Sequence, residues 1–166
     1  MPQITSPTPD ATSSTKGKVQ LAGALGGSGS TAASPVLATG IQTATVATNQ
    51  STSTTSYTDL TTTGPAVTIT IPASGQALVT VTCDLFNTTA GAFAFAGFAL
   101  SGTNTVAASD AQALFHKDTS TNGEMSASYT ILLTGLSTGS TTFTMKYKAS
   151  GGTASFINRR IIVEPK

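Results

Sequence analysis

One stretch of strict alternation constrains the fold more than any other feature of this sequence. Between residues 66 and 71 every second residue is Val or Ile, and the residues between them are Ala or Thr. A period of two puts the apolar side chains on one face of a β-strand and the Thr hydroxyls on the other face. Thr and Val are also β-branched, which favours strands over helices. The pattern therefore predicts a half-buried strand.

Similar runs follow at spacings typical of a β-sandwich. Turns containing Gly, Pro or Asn separate them, and no intervening segment is long enough for a crossover helix, so neighbouring strands should be antiparallel. The sequence thus predicts an all-β fold, an antiparallel jelly-roll-like β-sandwich with an extended N-terminal arm. Near Gly97 the alternation changes parity, and we expect a β-bulge there. The further predicted strands are residues 76–86, 93–100, 105–116, 124–134, 141–149 and 153–163, with one or two edge strands within 41–60.

The first 40 residues differ from the rest of the chain. They contain four prolines and the glycine-rich run at 25–30, which disfavour regular helix and give no core pattern. Two interpretations stay open: a flexible linker, or a segment that becomes ordered only against the surface of a partner. We therefore divide the chain into an attachment arm, residues 1–40, and a β-sandwich domain, residues 41–166.

Composition disfavours several classes of function. Thr, Ser, Ala and Gly make up more than half of the 166 residues, charged residues are 9%, and the formal net charge is +1. A near-neutral surface gives no electrostatic basis for binding nucleic acid or anionic membranes. No apolar run is long enough to span a bilayer and no secretory signal is visible, so we expect no membrane partner. Assembly in a host cytoplasm agrees with both observations.

Residues for catalysis or metal binding are sparse. His116 is the only histidine and lies at a strand end, where we expect it to be hydrogen-bonded or exposed. Asp110 and Glu124 are too isolated in sequence to argue for a glycosidase pair. Cys83 is the only cysteine and shares the parity of apolar neighbours, so we interpret it as a small buried hydrophobe. We predict no enzymatic activity, no cofactor and no metal.

Arg159 and Arg160 form the one local charge cluster. Consecutive strand residues point to opposite faces, so the two arginines cannot both be buried on the same side. One interpretation is exposure on an outer sheet. The alternative is that one arginine lines a subunit interface and pairs with an acidic residue. The acids considered are Asp110, Asp118 and Glu124.

Residues 11–27 resemble a short element that recurs in phage tail-fibre proteins, with the pattern Ser/Thr-Thr-Lys-Gly-x-Val-Gln-Leu, and residues 31–36 are similar to its usual continuation. The resemblance implies that this part of the arm attaches the chain to a virion. The residues that carry it, and that we therefore assign to virion attachment, are Lys16, Gly17, Val19, Gln20 and Leu21.

Residues 41–166 resemble the C-terminal domains of phage fibre and head-decoration proteins, and more loosely the trimeric tumour-necrosis-factor-like jelly rolls. Residues 128–136 and 155–165 carry this likeness. It implies a homotrimer whose arms run toward the particle and whose jelly rolls point outward. Eight aromatic residues are many for a thin sandwich, and we expect some of them between subunits. They are Phe93, Phe95, Phe98, Phe115, Tyr129, Phe143, Tyr147 and Phe156.

These observations favour a structural virion protein of a bacteriophage, a short trimeric capsid decoration or head-fibre-type protein that contacts phage capsid or tail proteins. The alternative is a tail fibre or receptor-binding module whose loops, residues 87–91, 101–104 and 118–123, recognise a host surface glycan or protein. Those loops are small and lack Trp. Because sugars commonly stack on aromatic rings, the loops favour the structural role.

Overall fold

The computed structural model describes residues 40–166, and these form one β-sandwich. The five predicted attachment residues of the arm lie outside the described residues, as does nearly all of the arm, so the division at residue 40 stays a prediction.

Two antiparallel sheets make up the sandwich. In sheet A, β9 lies between β4 and the two short strands β1 and β2, and β7 pairs with the other edge of β4. In sheet B the order is β3-β8-β5-β6. The strands are β1 Gln42–Val46, β2 Gln50–Thr52, β3 Ala66–Ile71, β4 Ala77–Asn87, β5 Phe93–Gly102, β6 Leu114–Lys117, β7 Met125–Leu133, β8 Gly139–Ala149 and β9 Ala154–Pro165.

The strand order is that of a jelly roll. β1 and β2 both pair with β9 and act as one interrupted strand, which leaves eight strands in two sheets of four. Within sheet A the first of these eight strands neighbours the last, and within sheet B the second neighbours the seventh. This nesting of early strands beside late ones is the double Greek key of a jelly roll, and it confirms the predicted fold class.

The core follows the alternation read from the sequence. Val67, Ile69 and Ile71 of β3 point inward and are buried, while the Thr residues between them are exposed. Cys83 is fully buried among the inward residues of β4, and burial raises the pKa of its thiol to about 12. The interpretation of Cys83 as a small buried hydrophobe is confirmed, and its thiol stays protonated at neutral pH.

Outer faces carry rows of paired hydroxyls. The Oγ1 atoms of Thr68 and Thr142 are 2.7 Å apart on sheet B, and those of Thr80 and Thr130 are 2.9 Å apart on sheet A. Cross-strand hydroxyl pairs of this kind stabilise a sheet without adding charge. At these positions both outer faces are therefore polar but neutral.

Two sequence predictions about β5 and β6 were wrong. The ladder between β5 and β8 runs without a register shift from Ala94 to Gly102, so Gly97 lies in a regular strand and not in a bulge. The predicted strand at 105–116 is shorter: Val106 forms one isolated bridge with β5, a single 3₁₀ turn follows at Asp110–Gln112, and only Leu114–Lys117 forms β6.

The bulge lies instead in β9. Two residues of β9, Asn158 and Arg159, oppose the single residue Cys83 of β4, and Asn158 adopts a left-handed φ of 50°. Asn tolerates that conformation better than most side chains. The extra residue reverses the parity of β9, so that Phe156 before it and Arg159 after it both point into the sandwich.

Arg159 is consequently a fully buried cation, and Arg160 is exposed. The Arg159 guanidinium donates to the carbonyl of Thr48 at 3.3 Å and to Oε1 of Gln50 at 3.0 Å. It also donates more weakly to the carbonyls of Thr62 and Gly64. None of the described carboxylates forms an ion pair with it. Arg159 is therefore neither exposed on an outer sheet nor paired with an acidic residue, the two interpretations drawn from the sequence.

The ring of Tyr147 completes this environment. Its centroid is 5.3 Å from Cζ of Arg159, a cation–π distance, and its hydroxyl donates to the Gly64 carbonyl at 2.9 Å. Arg159 thereby joins the β1–β2 segment, the 62–64 segment and β8 within the core. Burial raises the pKa of Tyr147 above its usual value, so the hydroxyl keeps the proton that it donates.

We expect Arg159→Ala to lower the free energy of unfolding by about 3 kcal/mol, because it removes the guanidinium that bonds four acceptors and leaves a cavity where a fully buried side chain stood. Urea denaturation of the full chain measures this change. Arg160→Ala is the matched control, since an exposed side chain should change stability by less than about 0.5 kcal/mol. Equal losses for the two variants would contradict the assigned role of Arg159.

Candidate functional site

Three phenylalanines form a partly exposed cluster on the outer face of sheet B. Phe93 and Phe95 stack at 5.6 Å between ring centroids, and Phe115 of β6 meets them at 6.0 and 5.7 Å. Because the β5 register is regular, these two β5 rings share the outward parity, and Ala94 and Ala96 point inward instead. We call Phe93, Phe95 and Phe115 the aromatic patch.

Two lysines lie over this patch. Nζ of Lys117 is 5.5 Å from the centroid of Phe93, and Nζ of Lys148 is 4.6 Å from that of Phe95. Lys148 also lies 5.0 Å from the ring of Tyr57. Cations over ring faces at these distances are attracted by the ring quadrupole. The patch is therefore apolar in its centre and positively charged at its margin.

Asp110 connects Lys148, at the margin of the patch, to Tyr57. Its Oδ1 accepts from Nζ of Lys148 at 2.7 Å and from the Tyr57 hydroxyl at 3.0 Å. The hydrogen bond from Lys148 lowers the pKa of the Asp110 carboxyl. Burial, followed by the hydrogen bond to Asp110, raises the pKa of Tyr57. Across the neutral pH range Asp110 therefore stays ionised and the Tyr57 hydroxyl stays protonated, as this network requires.

A groove of about 630 Å³ lies beside the network on the same sheet. Its floor includes Ala99, and Tyr57 and Asp59 line one wall. Nζ of Lys146 donates to both carboxylate oxygens of Asp59, at 2.8 and 2.7 Å. The groove thus offers an aromatic ring and fixed hydrogen-bonding groups next to small side chains.

The adjoining side of the sandwich is apolar and has free strand edges. Among the described residues β7 pairs only with β4 and β6 only with β5, so both sheets end on this side. A hollow of about 260 Å³ opens between β6 and β7, lined partly by Leu114, Phe115 and Tyr129. We call this surface, made of β6, β7 and the hollow, the β6–β7 side.

The exposed large hydrophobic side chains are distributed unevenly over the described residues. Five such residues occur in the described chain. Three of them lie on β6 or β7, and a fourth, Val106, forms the isolated bridge with Leu100 of β5. The four are Phe115 (54% exposed), Leu132 (48%), Met125 (39%) and Val106 (38%). The fifth, Ile41 (60%), precedes β1.

A polar cluster holds the loops at one end of the sandwich. Asp118 is fully buried, accepts from the backbone N–H of Asn87 and lies 2.9 Å from Nε2 of His116. Nε2 also lies 2.9 Å from the Gly123 carbonyl, which can only accept, so Nε2 carries the hydrogen. His116 is hydrogen-bonded as expected, and its contacts orient the 118–123 loop.

Residues predicted for chemistry are not brought together into a catalytic arrangement. Asp110 contacts Lys148 and Tyr57, and no hydroxyl contacts the second ring nitrogen of His116 among the described residues. Within residues 40–166 no cluster of three or more His, Cys, Asp or Glu side chains is placed to hold a metal ion. The same part of the chain contains no helix long and apolar enough to cross a membrane.

Sequence reasoning missed the outward aromatic patch. It noted the change of parity near Gly97 but interpreted it as a bulge. Without a bulge, the same change places Phe93 and Phe95 on the outer face and Phe98 and Leu100 in the core, and this was the signal for the patch.

Comparison with known proteins adds little. No protein-family model and no curated protein matches the chain. Among solved structures it is similar to the VP2 subviral particle of infectious bursal disease virus, at 13% identity and a TM-score of 0.33, over 75% of this chain and 37% of that one. A structure of the Gx strain of the same virus gives 14% identity and a TM-score of 0.33, over 86% and 41%. The chain thus spans less than half the length of either, and likeness at this TM-score carries no inference.

We expect the stability contributed by Asp110 to disappear in acid. Because its folded pKa is lowered, the contribution is fully present above the unfolded value of about 3.8 and is lost as the pH falls through the folded value. The carboxylate is largely exposed, so Asp110→Asn should cost less than about 1 kcal/mol at pH 7. Urea denaturation at pH 7 and pH 2 measures the difference, with Glu124→Gln as the control. A difference of the same size at both pH values would contradict this assignment.

Proposed function

We propose that the chain is a structural virion protein of a bacteriophage. In this proposal it is a short trimeric capsid decoration or head-fibre-type protein, which attaches to the particle through its N-terminal arm and displays the jelly roll outward. Its mechanism is binding without turnover. The partners are two further copies of the chain and a capsid or tail protein, and the protein resides in the virion after assembly in the host cytoplasm.

The observation that carries the proposal is the unequal distribution of apolar surface. A pair of Thr hydroxyls lies on the outer face of each sheet, whereas four of the five exposed large hydrophobic side chains of the described residues lie on or beside the β6–β7 side. A concentrated apolar surface on an otherwise polar domain is typical of a protein that assembles with others. Assembly also protects free strand edges, which otherwise invite aggregation.

The neutral surface supports a role in a crowded array. Among the described residues, basic and acidic side chains are few, and three lysines already pair with acids of the same chain. Neighbouring copies with little net charge repel each other weakly. The jelly roll by itself is compatible with several functions, so the specific link to phage rests on the fibre-like element in residues 11–27.

The attachment role of the arm is tested in the full chain. We expect Val19→Asp and Leu21→Asp to reduce binding to particles at least tenfold, since a carboxylate desolvated in an apolar contact is costly. Co-sedimentation with particles purified from a phage that lacks the gene measures binding. Thr8→Asp, outside the fibre-like element, is the matched control and should bind like the wild type.

Loss of binding by all three variants would indicate a general charge effect and contradict the assignment of residues 16–21. Binding of none of the chains, wild type included, would contradict the virion role itself. Light scattering after size exclusion completes the test, because a wild-type mass of one chain, 16.6 kDa, would contradict the trimer.

The alternative function is recognition of a host surface glycan, as a tail fibre or receptor-binding module. One observation favours it: the groove beside Tyr57 combines an aromatic ring with the Asp59–Lys146 pair, and sugars bind to rings flanked by fixed polar groups. Binding of the wild-type chain on a glycan array, lost in Tyr57→Ala and retained in Phe93→Ala, would favour this alternative.

A further inference from the structure

We infer that the β6–β7 side and the adjoining aromatic patch form one continuous self-association surface, and that its occupant is a second copy of this chain arranged around a threefold axis. The inference rests on the proposed homotrimer and assigns residues to its interface. Four features of the described chain support it: exposed apolar area, a free strand edge, complementary charges, and continuity of the surface through Phe115.

The apolar area is the first feature. Phe115 is more than half exposed, and Met125 at the start of the neighbouring strand is also exposed. Burying such side chains is favourable by about 25 cal/mol for each Å² of apolar surface removed from water. Of the five large hydrophobic residues exposed to this degree in residues 40–166, only Val106 and Ile41 lie on neither β6 nor β7.

The free edge of β7 is the second feature. Its nine residues, Met125–Leu133, contain no charged residue and no proline, and their ladder with β4 has no register shift. Exposed edge strands are normally protected by charges, prolines or bulges. The edge of β7 has no charge, proline or bulge to protect it. It is therefore suited to being covered by another subunit.

Charges at the margins favour a copy of the same chain as the occupant. Lys117 ends β6 and Glu124 immediately precedes β7, and neither forms an ion pair within the described residues. The two opposite charges flank one surface, so Lys117 of one copy complements Glu124 of the next. Few other charges lie on this surface to oppose such a contact.

Continuity through Phe115 favours rotational symmetry. Phe115 belongs to the aromatic patch and also lines the hollow between β6 and β7. The aromatic patch and the hollow lie side by side on each copy. If the patch of each copy contacts the hollow of the next copy, the copies can close into a ring. In this arrangement Phe115 lies near the axis, and the aromatic side chains enter the hollow of the neighbouring copy.

The first test compares two charge insertions at exposed apolar positions. Wild type, Phe115→Glu and Ile41→Glu are measured by light scattering after size exclusion, with circular dichroism to verify folding. We expect the wild type and Ile41→Glu at three times the chain mass of 16.6 kDa, and Phe115→Glu at one chain mass, a threefold decrease. A folded Phe115→Glu that remains trimeric would overturn the inference.

The second test does not depend on that variant folding. Cys83 is buried and its thiol protonated, so a single introduced cysteine is the only reactive one in the chain. Under mild oxidation we expect Phe115→Cys to form disulfide-linked dimers and Ile41→Cys to remain monomeric on a denaturing gel. Absence of the link in a trimeric Phe115→Cys protein would overturn the inference.

Failure of the proposed homotrimer can be distinguished from failure of the interface assignment. A wild-type chain of single mass contradicts the homotrimer, and the proposed interface fails with it. A trimeric wild type whose folded Phe115→Glu and Phe115→Cys variants behave like the Ile41 variants leaves the proposed function intact and places the interface elsewhere.

Discussion

The buried guanidinium of Arg159 is the interaction on which the arrangement of the sandwich most depends. A cation inside a core is tolerated only where acceptors surround it, and here they come from the β1–β2 segment and from residues 62–64. The bulge at Asn158 places the side chain inward, and the break between β1 and β2 supplies the Thr48 carbonyl. One irregularity in β9 thus determines how the first strands of sheet A attach to the rest of the fold.

Regular strands were predictable from the sequence, and irregular ones were not. Alternation located β3, β4, β7 and β8 within a few residues, because a strand with one buried face carries apolar side chains at every second residue. The bulge in β9 left no comparable signal, because apolar residues occupy both parities on each side of it, at Phe156 and Ile157 and again at Ile161 and Ile162. The inward-facing parity changes within β9, which requires an extra residue, and Asn158 supplies it.

The aromatic patch shows why the candidate site was harder to predict. The change of parity near Gly97 was interpreted as a bulge, but β5 is regular. At this level of the sandwich Tyr147 and Phe156, 4.8 Å apart between ring centroids, already fill the interior. Only small residues fit opposite them, so β5 turns its alanines inward and two of its rings outward. Which of two parities faces the core depends on the neighbouring strands, and a local pattern contains no information about them.

The paired Thr hydroxyls on both sheets have a consequence for how the protein behaves in solution. Attraction and repulsion between charged surfaces are screened by salt over a distance of about 10 Å at 0.1 M ionic strength. Hydration of neutral hydroxyls is not screened by salt, and it does not depend on the protonation of an ionisable group. A surface built on Thr68, Thr80, Thr130 and Thr142 therefore keeps its affinity for water across wide changes in ionic strength and pH.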